Sequence, residues 1–234
     1  MVIVDNVYQK VLALANKEQR GYITPQEFNL FAGLAQMEIF EQYFYDLEQF
    51  QRRMDNAVEL IEEKIAIFKM GPVSISDSHA LNTFINATTG EDHFYKIVQI
   101  TKQDDNNGAI RVAERIEQED YAMMQVSPLT QVTKTRPVFF IKDNGVYIYP
   151  ETGANEIRYI RKPMSPNWTY FIGANESAIY NPNAADHRNF ELHTSEENAL
   201  VIKILQLAGV AIKDFNLVQL ASQREISTIQ QEKQ

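Results

Sequence analysis

Four acids set close together, Glu114, Glu117, Glu119 and Asp120, form a dense group of side chains able to move protons. Two carboxyls held near one another can share general-acid and general-base work. The same four acids suit the solvated first turn of a helix, where the positive end of the dipole favours them. Of the four histidines (His79, His93, His187 and His193), only His187 and His193 lie near each other, in a turn-rich stretch with Asp186 and Glu191. The chain has no HExxH helix to make that pair a metalloprotease site. The run Asp104-Asp105-Asn106-Asn107-Gly108 lacks the alternating ligands and the distal glutamate of a calcium loop, and reads as a surface turn. No G-x-S-x-G nucleophile elbow and no G-x-x-x-x-G-K phosphate loop occurs. With no cysteine, thiolate nucleophiles, disulfides and cysteine-ligated zinc are excluded together. These patterns assign no catalytic residue, no metal ligand and no cofactor. They point to assembly rather than catalysis.

Arg158, Arg161 and Lys162 make a local basic cluster on a strand-like run, Glu156 to Lys162. Alternation places Arg158 with Ile160 and Lys162 on one face, and Ile157, Tyr159 and Arg161 on the other. A basic strand edge beside Tyr159 can meet an acidic partner or the DNA backbone, or can simply blunt an exposed edge against stray pairing. Both readings stand.

The longest element is a helix beginning at Thr24-Pro25-Gln26-Glu27, a capping box with proline at the first helical position. It runs to about Phe50. Phe28, Phe31, Leu34 and Ala35 make one apolar face, and from Met37 onward apolar and aromatic residues spread round the circumference. Phe40, Tyr43 and Phe44 are the candidate contact residues of a helix enclosed by other elements or by copies of itself. A first helix covers residues 2 to 17, and a third carries Ala57, Leu60, Ile61, Ile65 and Phe68, capped by Asp55 or Asn56 and stopped by Gly71-Pro72.

The texture then turns extended. Phe94 to Ile100, Ala109 to Val112 and Glu156 to Lys162 read as strands, and Trp168 to Ile172 and Phe190 to Leu192 as further short ones. A short helix is expected over Glu114 to Gln125. Val138 to Ile141 and Val146 to Tyr149 flank Asn144-Gly145, a strong hairpin signal. Thr194-Ser195-Glu196-Glu197 forms a second capping box and launches a last helical region that includes Leu217 and Leu220. The expected architecture is a single α+β domain over 1–234: an N-terminal helical bundle (1–70), a small antiparallel β-sheet in the middle (71–193) and a C-terminal helical tail (194–234).

A formal charge of −9 argues against a protein that grips nucleic-acid phosphates, which needs clustered Lys and Arg. Apolar runs fall short of the ~20 residues that span a bilayer, and the N-terminus has an acid where a signal peptide has a base. The expectation is a soluble chain made in the cytosol.

Taken together, the chain resembles the head–tail connector proteins (neck, adaptor or ring proteins) of short-tailed, crAss-like bacteriophages. The resemblance rests on the block Val7-Tyr8-Gln9-Lys10-Val11 through Tyr22-Ile23-Thr24-Pro25-Gln26-Glu27-Phe28-Asn29 to Phe40-Glu41-Gln42-Tyr43-Phe44, with the strand Ile157 to Pro163 and the final helix as weaker parallels. It implies a non-enzymatic virion protein forming a ring, typically of twelve copies, below the portal protein. A downstream tail or ring protein would bind beneath it, and DNA would pass through the lumen without specific binding. The implied location is the neck or tail of the virion, after synthesis in the host bacterial cytoplasm, with no membrane partner. Partner-facing residues expected on this view are Phe40, Tyr43, Phe44, Arg158, Tyr159, Arg161, Lys162, Leu217 and Leu220. A virion cargo or scaffold protein without ring symmetry, or an enzyme using Glu114 to Asp120, are the alternatives.

Overall fold

Thr24 and Glu27 satisfy each other at the start of the long helix, as the capping box requires. Glu27 accepts from the Thr24 amide (2.9 Å) and hydroxyl (2.7 Å), while the Glu27 amide donates to Thr24 Oγ1 (3.3 Å). The computed structural model of the chain describes residues 1–17, 23–53, 57–85, 92–104, 108–173, 178–211 and 223. It divides into two compact units, one built from residues 1–67 and 163–234, the other from 68–162.

The first unit is helical. It holds α1 (Val4–Lys17), α2 (Pro25–Arg53), α3 (Ala57–Ala66) and α5 (Glu197–Ala211), with a small hairpin of β9 (Tyr170–Ile172) and β10 (Ala178–Tyr180). α2 lies against α3 and α5, and α5 also lies against α1. One face of α2 binds the extended chain that follows residue 163 through two side-chain amides seven residues apart. Asn29 accepts from the Trp168 amide (2.8 Å) and donates to the Trp168 carbonyl (3.2 Å). Gln36, fully buried, donates to the Met164 carbonyl (2.7 Å) and accepts from the Glu191 amide (2.9 Å). Gly33 lies between them on that face, where an added Cβ would stand 3.7 Å from Ser165 Oγ, an ordinary contact. Trp168 is buried against Tyr8 (4.2 Å between rings), and its indole N–H donates to Asp5 (2.9 Å).

The second unit is a barrel. Its strands are β1 (Lys69–Ile75), β2 (Ser78–Ala80), β3 (Phe94–Gln103), β4 (Ile110–Val112), β5 (Glu114–Arg115), β6 (Val138–Lys142), β7 (Gly145–Tyr149) and β8 (Ala154–Arg161). They form two four-stranded sheets, β1-β8-β3-β4 and β2-β7-β6-β5. The sheets share both edges, because β1 runs on into β2 and β4 into β5. At one corner the Ala113 amide donates to Ile100 and the next amide, Glu114, donates to Pro137 on the other sheet. At the other corner Ile148 donates to the Asp77 carbonyl (2.8 Å). Joining both edges removes the open rows of donors and acceptors that a flat sheet would expose. Ile75, Ile100, Ile157 and Tyr159 from one sheet, and Phe139, Val146 and Ile148 from the other, fill the interior.

The β6–β7 hairpin forms as its sequence predicts, with one adjustment. The residues in left-handed conformation are Asp143 (φ 48°) and Asn144 (φ 59°), so Gly145 is already the first residue of β7, paired with Lys142.

The expected fold class is corrected in several respects. The middle of the chain is not one small antiparallel sheet but two linked sheets, and β5 pairs with β6 in parallel. Gly71-Pro72 does not merely stop a helix; it forms an irregularity inside β1, where the register with β8 shifts between Met70 and Val73. Glu114-Arg115 is strand, because pairing with β6 supplies its hydrogen bonds, and the helix α4 (Gln118–Val126) starts later. Phe190 makes only an isolated bridge to Val2. Among the described residues a C-terminal helical tail is not evident: α5 is a member of the helical unit, lying against α1 and α2. The start of α5 also differs from the expected box, for the turn Thr194–Glu196 is capped by His193, whose Nδ1 accepts from the Ser195 amide (3.2 Å). Asp55, Asn56, Leu217 and Leu220 lie outside the described residues.

Candidate assembly surfaces

α4 is nine residues long and none of them is buried. It rests on the barrel through Tyr121, whose ring stacks on Tyr149 (4.4 Å) and meets Phe140 (5.4 Å). Burial pushes the hydroxyl pKa values of Tyr121 and Tyr149 up, as expected for rings held against each other. The rest of the helix and the turn after it project an apolar ridge: Met123 is 72% exposed, Val126 85% and Leu129 96%. From Tyr121 to Thr133 thirteen consecutive residues carry no charge, in a chain where 23% of residues are charged. An isolated helix this short is marginal in water, and its own unit gives it little to hold it. Single exposed apolar residues are ordinary on a protein surface. Contiguous exposed apolar surface, by contrast, is where interaction sites are found.

The helical unit has its own wet apolar positions. On α2 the outward stripe carries Leu30, Leu34 and Tyr45 among Glu27, Glu38, Glu41 and Glu48, all exposed. From Met37 onward the expectation is an α2 apolar round its circumference and enclosed by other elements or by copies of itself; within the protomer Glu38, Glu41, Tyr45 and Glu48 are exposed, so its own unit does not enclose it. Its inward face, Phe28, Ala32, Ala35, Ile39, Phe40 and Tyr43, is buried by its own unit, while the opposite stripe is solvated and acidic. On the β9–β10 hairpin Phe171 and Ile179 are opposite each other and exposed.

Charge is divided unevenly between the two units. Residues of the helical unit include 11 Lys and Arg against 19 Asp and Glu, and those of the barrel unit 11 against 12. The acidity of the chain thus belongs to the helices, and the barrel is close to neutral.

The residues expected to face partners are scattered. Phe40 and Tyr43 are buried within the helical unit, and Phe44 is half-buried with its ring 5.0 Å from Phe40. Lys64 lies over the Tyr43 ring and pairs with Glu196 (2.6 Å). Arg158 and Arg161 are on β8, with Lys162 just past its end, and β8 is an inner strand between β1 and β3, so its backbone presents no edge. Arg158 points outward and donates to Gln99 (3.1 Å). Tyr159 points into the barrel, its hydroxyl 3.0 Å from His93 Nε2, and burial pushes its pKa up. Arg161 lies over the Phe68 ring (5.8 Å), and Lys162 is half-buried. The structure thus splits Arg158 from Tyr159 by face.

The groups with potential chemistry are equally dispersed. Glu114 is on β5 and pairs with Arg136 (2.9 Å); Glu117, Glu119 and Asp120 are exposed around the start of α4. His79 is 2.9 Å from the Thr83 hydroxyl, and burial lowers its pKa. His187 bonds Tyr180 (2.8 Å) and His193 caps its turn. Among the described residues no three His, Asp or Glu side chains are placed to hold a metal ion, and no helix is long and apolar enough to cross a membrane.

One polar cluster went unnoticed in the sequence. Lys102 on β3 is 5% exposed, and its Nζ donates to Asp77 Oδ1 (2.9 Å) and to Asn155 Oδ1 (2.9 Å). Asn155, 2% exposed on β8, donates its amide to the same Asp77 oxygen (2.8 Å). The signal was available: Lys102 lies two residues beyond Ile100, on the inward face of a strand.

The chain matches no known family model, and no curated protein is similar to it in sequence at a significant level.

Proposed function

We propose that this chain is a non-enzymatic structural protein that works by assembling, and that its place is the ring in the neck of a short-tailed phage. In that role its copies join one another, bind the portal protein above and a tail or ring protein below, and leave a lumen for DNA. The observation that carries the assembly reading is α4: a helix that buries none of its own residues, continued by an exposed and uncharged stretch. A ring built by head-to-tail contacts supplies a partner for such a segment in every copy. The phage assignment rests on the sequence resemblance alone.

The acidity of the helical unit favours a conduit over a DNA-gripping clamp, since phosphate binding needs clustered cations. A cargo or scaffold role shares these surfaces but not a fixed stoichiometry. Native mass spectrometry of the purified protein, alone and with the portal protein encoded beside it, separates the two. A discrete ring or a fixed complex with the portal is the expected result. A monomer that ignores the portal would remove the connector reading.

A further inference from the structure

Lys102, Asp77 and Asn155 form a closed triangle inside the barrel unit, and nothing in the assembly role uses it. The triangle occupies a defined layer. Ile100 is opposite Ile157 on β3 and β8, and the next inward pair along the same two strands is Lys102 opposite Asn155, with Ile75 of β1 on the far side of Asn155. Ile100 and Ile157 are fully buried. An amine, a carboxamide and a carboxylate are therefore set side by side at the end of a dry core.

A lone salt bridge does not need this arrangement. Burying a lysine costs several kcal/mol unless it is well paired, and an apolar pair at these strand positions would fill the barrel without that cost. What the arrangement does provide is a nucleophile, an electrophile and a proton carrier in mutual contact. The amine nitrogen is 2.9 Å from the oxygen bonded to the carboxamide carbon, and one carboxylate oxygen touches both reacting groups. Such fixed proximity replaces a bimolecular encounter with an intramolecular one.

We propose that Lys102 and Asn155 join in an intramolecular isopeptide bond, with Asp77 as the catalytic residue. Lys102 gives a proton to Asp77 along their hydrogen bond, which leaves a neutral amine and a carboxylic acid. The Nζ lone pair forms a bond to Cγ of Asn155, and the carbonyl π electrons move to oxygen. Asp77 passes its proton to the amide nitrogen, and the Cγ–N bond breaks as the carbonyl re-forms. The excess proton on Nζ leaves with the departing nitrogen, which exits as ammonium and restores Asp77 as a carboxylate. No oxidant, reductant or co-reactant is consumed. Asp77 has 31% of its side chain exposed, which opens the site to solvent for that exit, whereas the other two groups are enclosed. The bond would tie β3 to β8 in a chain that has no cysteine with which to make a disulfide.

The test is the mass of the denatured full-length chain, followed by peptide mapping. A product one ammonia lighter than its sequence, with a branched peptide joining Lys102 to Asn155 and no tryptic cut after Lys102, is the expected result. The full sequence mass would overturn the proposal. So would an ammonia loss mapped elsewhere, such as a succinimide at Asn144 before Gly145. Asp77→Asn, shown to be folded by circular dichroism, is expected to keep the full mass, and cross-linking at the wild-type level in that variant would remove Asp77 from the mechanism. The wild-type map decides the bond even if the variant does not fold. Because the measurement is made on denatured single chains, its outcome is independent of whether the protein forms a ring.

Discussion

Replacing Val126 by aspartate tests whether α4 is the segment through which copies join. Val126 is 85% exposed and on a helix with no buried residue, so the change removes almost no packing from the folded protomer. Surface substitutions of this kind usually move stability by no more than about 0.5 kcal/mol. At an interface the same position behaves differently. Covering Met123, Val126 and Leu129 would contribute about 4.5–9 kcal/mol in all, taking about 1.5–3 kcal/mol for each side chain withdrawn from water. Placing a carboxylate at the centre of that ridge removes the valine share and adds the cost of desolvating a charge. A loss of about 3–4 kcal/mol per contact weakens association roughly 140- to 700-fold at about 1.4 kcal/mol per tenfold. Sedimentation velocity at matched concentrations reads the assembly, and thermal unfolding by circular dichroism reads the protomer. The expected result is an unchanged melting transition with the ring lost. Full assembly of Val126→Asp would refute the assignment of α4 as the joining segment, and a collapsed transition would refute the claim that this helix is peripheral to its own fold.

Two glycines offer a contrast that depends on tertiary geometry alone. At Gly71 the backbone has φ +113° and an added Cβ would stand 2.6 Å from the Ile157 carbonyl, so Gly71→Ala is expected to cost about 2–5 kcal/mol. At Gly33, mid-helix with only ordinary contacts, Gly33→Ala is expected to stabilise by about 0.5–1 kcal/mol. Urea unfolding of both variants checks the pair, and equal effects would contradict the geometry. The capping box predicts a pH dependence. Hydrogen bonds from the Thr24 amide and hydroxyl lower the pKa of Glu27, so its contribution is present above the ordinary glutamate range and is lost as pH falls through the lowered folded value. The melting temperatures of wild type and Glu27→Gln are expected to differ at neutral pH and to converge in acid. A gap that widens in acid would show that the sign is wrong.

Local features were legible in the sequence because their causes are local. The capping box at Thr24 acts between residues three apart, and the β6–β7 hairpin is determined by two left-handed residues flanked by alternating apolar runs. The absence of cysteine excluded whole classes of chemistry without any structure. The wet side of α2 was signalled by Glu27, Glu38, Glu41 and Glu48 on one helical stripe, but Leu30, Leu34 and Tyr45 interrupt that stripe, and only the placement of the neighbouring elements shows that they too are exposed. The same limit explains β8: alternation located Arg158 and Tyr159 on opposite faces, but whether a strand is inner or edge depends on β1 and β3 pairing with it from distant parts of the chain. Strand pairing at long range also decided that Glu114-Arg115 is extended, that Ala113 turns the chain from one sheet to the other, and that Lys102, Asp77 and Asn155 meet. Sequence alone thus determined the helix start, the turns and the available chemistry. Tertiary structure decided which surfaces stay exposed and which three polar side chains meet at the end of the core, because burial and proximity are properties of the packed chain and not of any segment within it.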